Sequence, residues 1–202
     1  MTRLGISVEG ATEREFVNRV LRPHLASGGI AVTAIDLRGN VSLDKIRGVL
    51  PALLGSFERV STFYDFYGFK GREERSIDQL KSAIGALVDP QRRERLIPYV
   101  QRYEFEALLF GAPQQAVDLM GGTQAQLEEM QQAVRRAGSP ELVNDSFETS
   151  PSHRMKTYFA GYDKKLHGPE IVALAGLVAI RKECPRFDAW VTQLEGLGGP
   201  VA

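Results

Sequence analysis

The chain is poor in residues that build soft metal sites or covalent scaffolds. Cys184 is its single cysteine, which excludes an intramolecular disulfide and any thiolate zinc cluster. The three histidines, His24, His153 and His167, are scattered along the sequence, which argues against a His-rich centre. No apolar run approaches the roughly 20 residues of a membrane span. The stretch Met1 to Gly5 lacks the apolar core of a secretory signal. There is no G-x-x-x-x-G-K-[ST] loop, no G-x-G-x-x-G and no G-x-S-x-G elbow, so the patterns of nucleotide hydrolases and serine hydrolases are missing. Charge of one sign is not in excess either: 25 Lys and Arg balance 25 Asp and Glu, leaving no global field to draw in a polyanion. Together these absences predict a soluble, cytoplasmic protein without a membrane partner, in a reducing compartment.

What is present is ordinary globular material, 202 residues that are 43% hydrophobic and 25% charged, enough for a core without staples. The charge is unevenly spread. Residues 150–186 carry seven Lys or Arg against three Asp or Glu, whereas residues 1–149 carry 18 against 20. Contacts with a polyanion are therefore expected on the C-terminal part.

The first half alternates strand and helix signals. Leu4 to Val8 reads as a strand ending at Glu9-Gly10, and Phe16, Val17, Val20, Leu21 and Leu25 follow at helical spacing. Ile30 to Ile35 is a second strand, and Leu43 to Leu54 a helix despite Pro51. The β-branched and aromatic Val60 to Asp65 is a third strand. Ile77 to Val88 is amphipathic, and Leu96 to Val100 is a short fourth strand. This order predicts an α/β fold with a mainly parallel four-stranded sheet flanked by helices. After Tyr103 the pattern turns helical, over Glu104 to Phe110, Thr123 to Arg136, Arg154 to Phe159, Ile171 to Arg181 and Phe187 to Leu194. The expected organisation is an α/β domain over residues 1–110 with a C-terminal helical lobe, residues 111–202, packed on it. The Gly-rich tail from Gly196 to Ala202 is expected to fray.

In open α/β sheets ligands bind beyond the carboxyl ends of the strands, so acids there come first. Glu9 ends the first strand beside Gly10, which would let a ligand approach. Thr12 and Glu15 match a T-x-x-E capping box, which leaves Glu13 in phase with the buried stripe and pointing toward the same edge. The helix dipole alone also favours an acid at Glu13. Asp65 leaves the third strand at that edge, with Phe63 and Tyr67 on its face by the period of two; a loop cap before Gly68 is the ordinary alternative. Converging carboxylates repel one another unless a cation neutralises them, and oxygen-only donors favour Mg²⁺ or Mn²⁺. Glu104 or Glu106 would complete such a site, but on an α-helix they lie about 200° apart and could not both face one ion. The Gly-bounded run Gly161 to Gly168, with Lys164 and His167, joins Arg154 as a set of phosphate-binding groups. Lys164 is placed to stabilise charge on a phosphoryl group; a solvated basic face would explain the same run.

Val8 to Glu13 resembles the V-E-G-x-T-E opening of Toprim-like domains, including those of overcoming-lysogenization-defect (OLD) nucleases. The likeness extends to an uncharacterised bacterial family with D-x-Y-G-F, E-F-E-A-L-L-F and G-Y-D-K…H-G…C-P-x-F-x-x-W, here Asp65 to Phe69, Glu104 to Phe110, Gly161 to Lys164 with His167-Gly168, and Cys184 to Trp190. The resemblance implies a Toprim-like fold over residues 1–110 and Mg²⁺-dependent phosphoryl transfer. In that reading Glu9 is a general acid/base or ligand, Asp65 a ligand and Glu13 the second Glu of nuclease-type members. The second Asp of the D-x-D motif is replaced by Tyr67. The implied function is a metal-dependent nuclease-like protein acting on nucleic-acid phosphodiesters, with an ATPase partner and a role in defence against mobile DNA. The alternative is a non-catalytic docking subunit of an ATPase complex. A small-molecule phosphohydrolase on the same acidic edge stays open.

Overall fold

A computed structural model describes residues 1–73, 75–144 and 147–198. Chain order is β1 (Thr2–Val8), α1 (Ala11–Phe16), α2 (Arg22–Ala26), β2 (Ile30–Asp36), α3 (Leu43–Ser56), β3 (Arg59–Asp65) and α4 (Ile77–Ala86). Two short strands follow, β4 (Leu96–Ile97) and β5 (Val100–Gln101). The remainder is helical: α5 (Pro113–Met120), α6 (Gln124–Ala137), α7 (Pro151–Tyr158), α8 (Lys164–Ala175), α9 (Leu177–Glu183) and α10 (Pro185–Glu195). Among the described residues no helix is long and apolar enough to cross a membrane.

The sheet order is β2-β1-β3-β4, with β5 also on β3, and every pairing is parallel. This is the α/β architecture that the alternating pattern predicts. The expected fourth strand is split, because Pro98 offers no N–H to the ladder. The Thr62 hydroxyl bridges the gap, accepting from the Tyr99 N–H and donating to the Tyr99 carbonyl, both at 2.8 Å.

Side-chain alternation sorts the strands into two cores. Leu4, Ile6, Val8 and Phe63 face α1, α2 and the C-terminal helices, while Val60 and Tyr64 face α3 and α4. Trp190 of α10 ties the C-terminal helices to the sheet. Its ring stacks on Tyr99 at 4.5 Å, and its Nε1–H donates to the Ser61 hydroxyl at 2.9 Å. Trp190→Phe keeps most of the packing and loses that bond, so chemical denaturation should show about 1–2 kcal/mol of lost stability.

The N-terminal helix continues from α1 through a π turn, Val17–Leu21, into α2. All five apolar residues read from its spacing are buried. Three helical expectations change. The run Ile171 to Arg181 is two helices, broken at Gly176, which sits at φ 78° and ψ 145°. The stretch Gly161 to Gly168 is not a loop throughout: α8 begins at Lys164, capped by Asp163, whose carboxylate accepts from the N–H groups of Lys165 and Leu166. The helix α5 was not foreseen, although Pro at its start and Gly121 in the left-handed region at its end are its punctuation. At the C-terminus the Leu197 carbonyl accepts from the Thr2 hydroxyl at 3.1 Å, so the start of the tail expected to fray is fastened. Residues 199–202 lie outside the described residues.

Candidate metal centre at the carboxyl edge of the sheet

Parallel register brings every strand's carboxyl end to one edge, with Val8 beside both Asp36 and Phe63. Glu9 is the next residue. One of its carboxylate oxygens, Oε2, accepts from the Asp65 N–H at 3.3 Å. Gly68 closes over the same carboxylate: a Cβ at position 68 would lie 2.2 Å from Glu9 Oε1. Burial, with the nearby Glu13, pushes the Glu9 carboxyl up to about 7. Because the colliding atoms are the tip of a side chain, Gly68→Ala should displace the Glu9 carboxylate and leave the backbone in place. Calorimetry should then show Mn²⁺ binding weakened at least tenfold with little change in melting temperature; unchanged binding would remove Glu9 from the ligand set.

Glu13 is buried in the first turn of α1, and its carboxylate accepts from the Gly10 N–H at 2.9 Å. The capping box expected between Thr12 and Glu15 does not form. The helix starts two residues too early for a Thr12 cap, and Glu15 pairs instead with Arg14 and Arg19 on the surface. Burial raises the Glu13 carboxyl above its usual range.

Asp65 ends β3 on the face of Phe63, and its Oδ1 is buried without a hydrogen-bond partner. Burial raises its carboxyl well above the ordinary range, and the charges of Glu13, Glu9, Glu106 and Glu104 add to the rise. Asp36, at the end of β2, is different in kind: it is neutralised by Arg14 at 3.3 Å.

The α-helical geometry expected for Glu104 and Glu106 gives way to something tighter. Residues Phe105–Gly111 form a 3-10 helix, and Glu104 is its extended N-cap, with φ −142° and ψ 160°. The 200° separation therefore does not apply, and both acids act on Asp65. Glu104 is held by Ser152, whose backbone N–H and hydroxyl each donate at 2.9 Å. Glu106 is 1% exposed, and its Oε1 has no hydrogen-bond partner. Burial pushes it up to about 7, against the pull of Lys164.

Lys164 answers this concentration of acids from the first turn of α8. Burial alone would lower its ammonium, but Glu106, Asp65, Glu13 and Glu9 outweigh that and raise it. Its side chain remains accessible to solvent. Sequence reasoning missed Tyr162, although it lies in the G-Y-D-K motif. Its buried hydroxyl lies against the Glu106 carboxylate, whose charge and contact add to burial in raising it.

The structure thus groups Glu9, Glu13, Asp65, Glu104, Glu106 and Lys164. Arg154 and His167 are engaged locally instead. Arg154 donates to the Thr149 carbonyl and lines a separate cavity of about 340 Å³ with Arg136 and Tyr158. His167 Nδ1 accepts from the Asp163 N–H at 2.9 Å. Among the described residues, no three His, Cys, Asp or Glu side chains already form a ligand cage. The donor chemistry nevertheless fits a hard divalent cation. All donors are carboxylate oxygens, and two of them, on Asp65 and Glu106, are buried with their hydrogen-bonding capacity unused.

The whole fold resembles the C-terminal region of the Burkholderia pseudomallei OLD protein, with a TM-score of 0.55, 17% identity and full coverage of both chains. It also resembles the C-terminal region of the Xanthomonas campestris pv. campestris OLD protein, at a TM-score of 0.50 and 15% identity, covering 98% of this chain and 96% of that one. At such identity the likeness concerns the fold, which is the Toprim-like one the motifs predict. No curated protein matches the sequence. A family model described as a domain of unknown function, DUF4276, matches residues 8–195. The chain belongs to the DUF4276 family.

Proposed function

We propose that the acidic edge is a Mg²⁺ or Mn²⁺ site and that the protein is a nuclease-like phosphodiesterase acting on nucleic acid. The observation that carries this reading is the pair of buried, unpartnered carboxylate oxygens on Asp65 and Glu106, beside Glu9 and Glu13, with Lys164 facing them all. Such a cluster is costly without a cation. Glu9, Glu13, Asp65, Glu104 and Glu106 are the residues to hold it. When bound, the ion supplies charge neutralisation and Lewis acidity toward phosphoryl oxygens.

Within this reading the chain's own groups divide the remaining work. Glu9 holds a proton more readily than an ordinary carboxylate while the site is metal-free, and it can serve as acid/base where its carboxylate stays outside the ion's coordination shell. Lys164 is charged and accessible, suited to gripping a phosphate oxygen. Arg154 and His167 would serve phosphate only further along a bound strand. The OLD likeness supports an ATPase partner and a role in defence against mobile DNA as part of the same proposal.

A non-catalytic docking subunit is the second reading, and one observation favours it. The place of the second Asp is taken by Tyr67, whose hydroxyl is bonded to Asn144. The test is incubation of purified protein with supercoiled plasmid or RNA and Mg²⁺ or Mn²⁺. Metal-dependent cleavage supports the enzyme. Failure of both metals to bind at millimolar concentration, by calorimetry, supports the docking subunit.

A further inference from the structure

Tyr67 and Tyr103 belong to neither of the two apolar cores, although Tyr64, Tyr99 and Tyr162 do. Both are half-buried at the carboxyl edge of the sheet. Tyr67 lies two residues after Asp65 and directly before Gly68, the glycine that presses on Glu9. Tyr103 directly precedes Glu104. Their rings sit 5.3 Å apart at 52°, and the Tyr67 N–H donates to the Tyr103 carbonyl at 2.9 Å. The Arg72 guanidinium lies over Tyr67, 5.5 Å from its ring centre, while also pairing with Glu73.

Tyr103 adopts φ 61°. A bulky aromatic residue in the left-handed region is a genuine outlier, and such backbone clusters at functional sites. Core packing does not account for it, because the ring contributes to no core. What the conformation achieves is to hold one aromatic against another beside the acidic centre, with a guanidinium above.

Resting on the nuclease-like reading, we infer that the Tyr67–Tyr103 pair is a stacking platform for an unpaired nucleobase, so that the substrate is single-stranded nucleic acid. Base–aromatic stacking tolerates any sequence and requires a base freed from its duplex. This also gives position 67 a purpose once the second Asp is absent. Stacking a base there brings its adjoining phosphate toward the carboxylates and Lys164, and Arg72 offers a positive charge to the neighbouring one.

The test compares fluorescent oligonucleotides, single-stranded and duplex, by anisotropy in Ca²⁺, with Mn²⁺-dependent cleavage measured in parallel. Wild type should bind the single strand more tightly. Tyr103→Gly suits the backbone, which offsets part of the packing lost with the half-buried ring. The fold should therefore persist with at most a small fall in melting temperature, yet single-strand affinity should drop about tenfold or more while duplex binding is unchanged. Tyr103→Asn, which also tolerates this backbone, should behave likewise, and Tyr103→Phe should bind as wild type does. Unchanged single-strand affinity in both ring-less variants, or a wild-type preference for duplex, overturns the platform. If cleavage persists in that case, the nuclease-like reading survives; wild type that neither binds nor cuts overturns both.

Discussion

Glu9→Gln should lower metal-dependent cleavage by about 10²–10⁴-fold, the range expected when a positioned acid/base group is lost. The change is nearly isosteric, and the amide oxygen can still accept from the Asp65 N–H as Oε2 does now. Packing against Gly68 is likewise retained. What disappears is a negative charge and a group that titrates at about 7. Because that carboxylate is partly desolvated and lies among other acids, its removal relieves repulsion. The variant should therefore melt no lower than wild type at neutral pH, which separates a chemical defect from a folding one. Equal cleavage by Glu9→Gln and wild type, on plasmid or RNA with Mn²⁺, would exclude Glu9 from the chemistry.

Metal-free protein should be less stable at about pH 8 than at about pH 5, the reverse of ordinary acid denaturation. Glu9 and Glu106 both titrate at about 7 in the folded chain, against 4.5 unfolded. Across that interval the folded state binds more protons than the unfolded one, so stability declines as pH rises from 4.5 toward 7. For Glu106, nearly fully buried, the shift corresponds to about 3 kcal/mol. Glu13 and Asp65 act in the same direction. The lowered carboxyls of Asp163 and Glu195 have their effect below the usual carboxylate range, and Lys164 has its effect at high pH, so none masks the trend. In melting temperature the loss should be roughly 5–10 °C for a chain of this size. Mn²⁺ binds only deprotonated carboxylates. It should restore the stability at pH 8 and do little at pH 5. A flat profile, with or without Mn²⁺, would mean that these acids are not desolvated as a group.

Much of this edge could be read from periodicity. Alternation along Val60 to Asp65 places Asp65 on the face of Phe63, and the run Leu4 to Val8 delivers Glu9 to the same edge. Helical phase sends Glu13 inward, which its burial bears out. Other features depend on contacts that spacing does not encode. A 3-10 turn in place of an α-helix reverses the argument about Glu104 and Glu106, because the N-cap residue leaves the helical wheel. Glu104 is fixed by Ser152, 48 residues away, a pairing only tertiary structure can bring about. Lys164 reads as part of a Gly-bounded loop, since Gly161 and Gly168 suggest breaks. Asp163 overrides them by capping the helix, and Gly168 is needed there because a Cβ would meet the Phe105 ring at 3.0 Å. The cap at the start of α1 differs from expectation for a related reason: T-x-x-E is present in sequence, but Gly10 and Glu13 close the turn two residues earlier.

The central claim is a divalent-cation site among the carboxylates of this edge, and anomalous diffraction from crystals soaked in millimolar Mn²⁺ tests it most directly. The expected result is a manganese peak between Glu9 and Asp65, with Glu106 or Glu104 turned toward it. A crystal that takes up no manganese there, with the carboxylates protonated or paired to Lys164 instead, would contradict it.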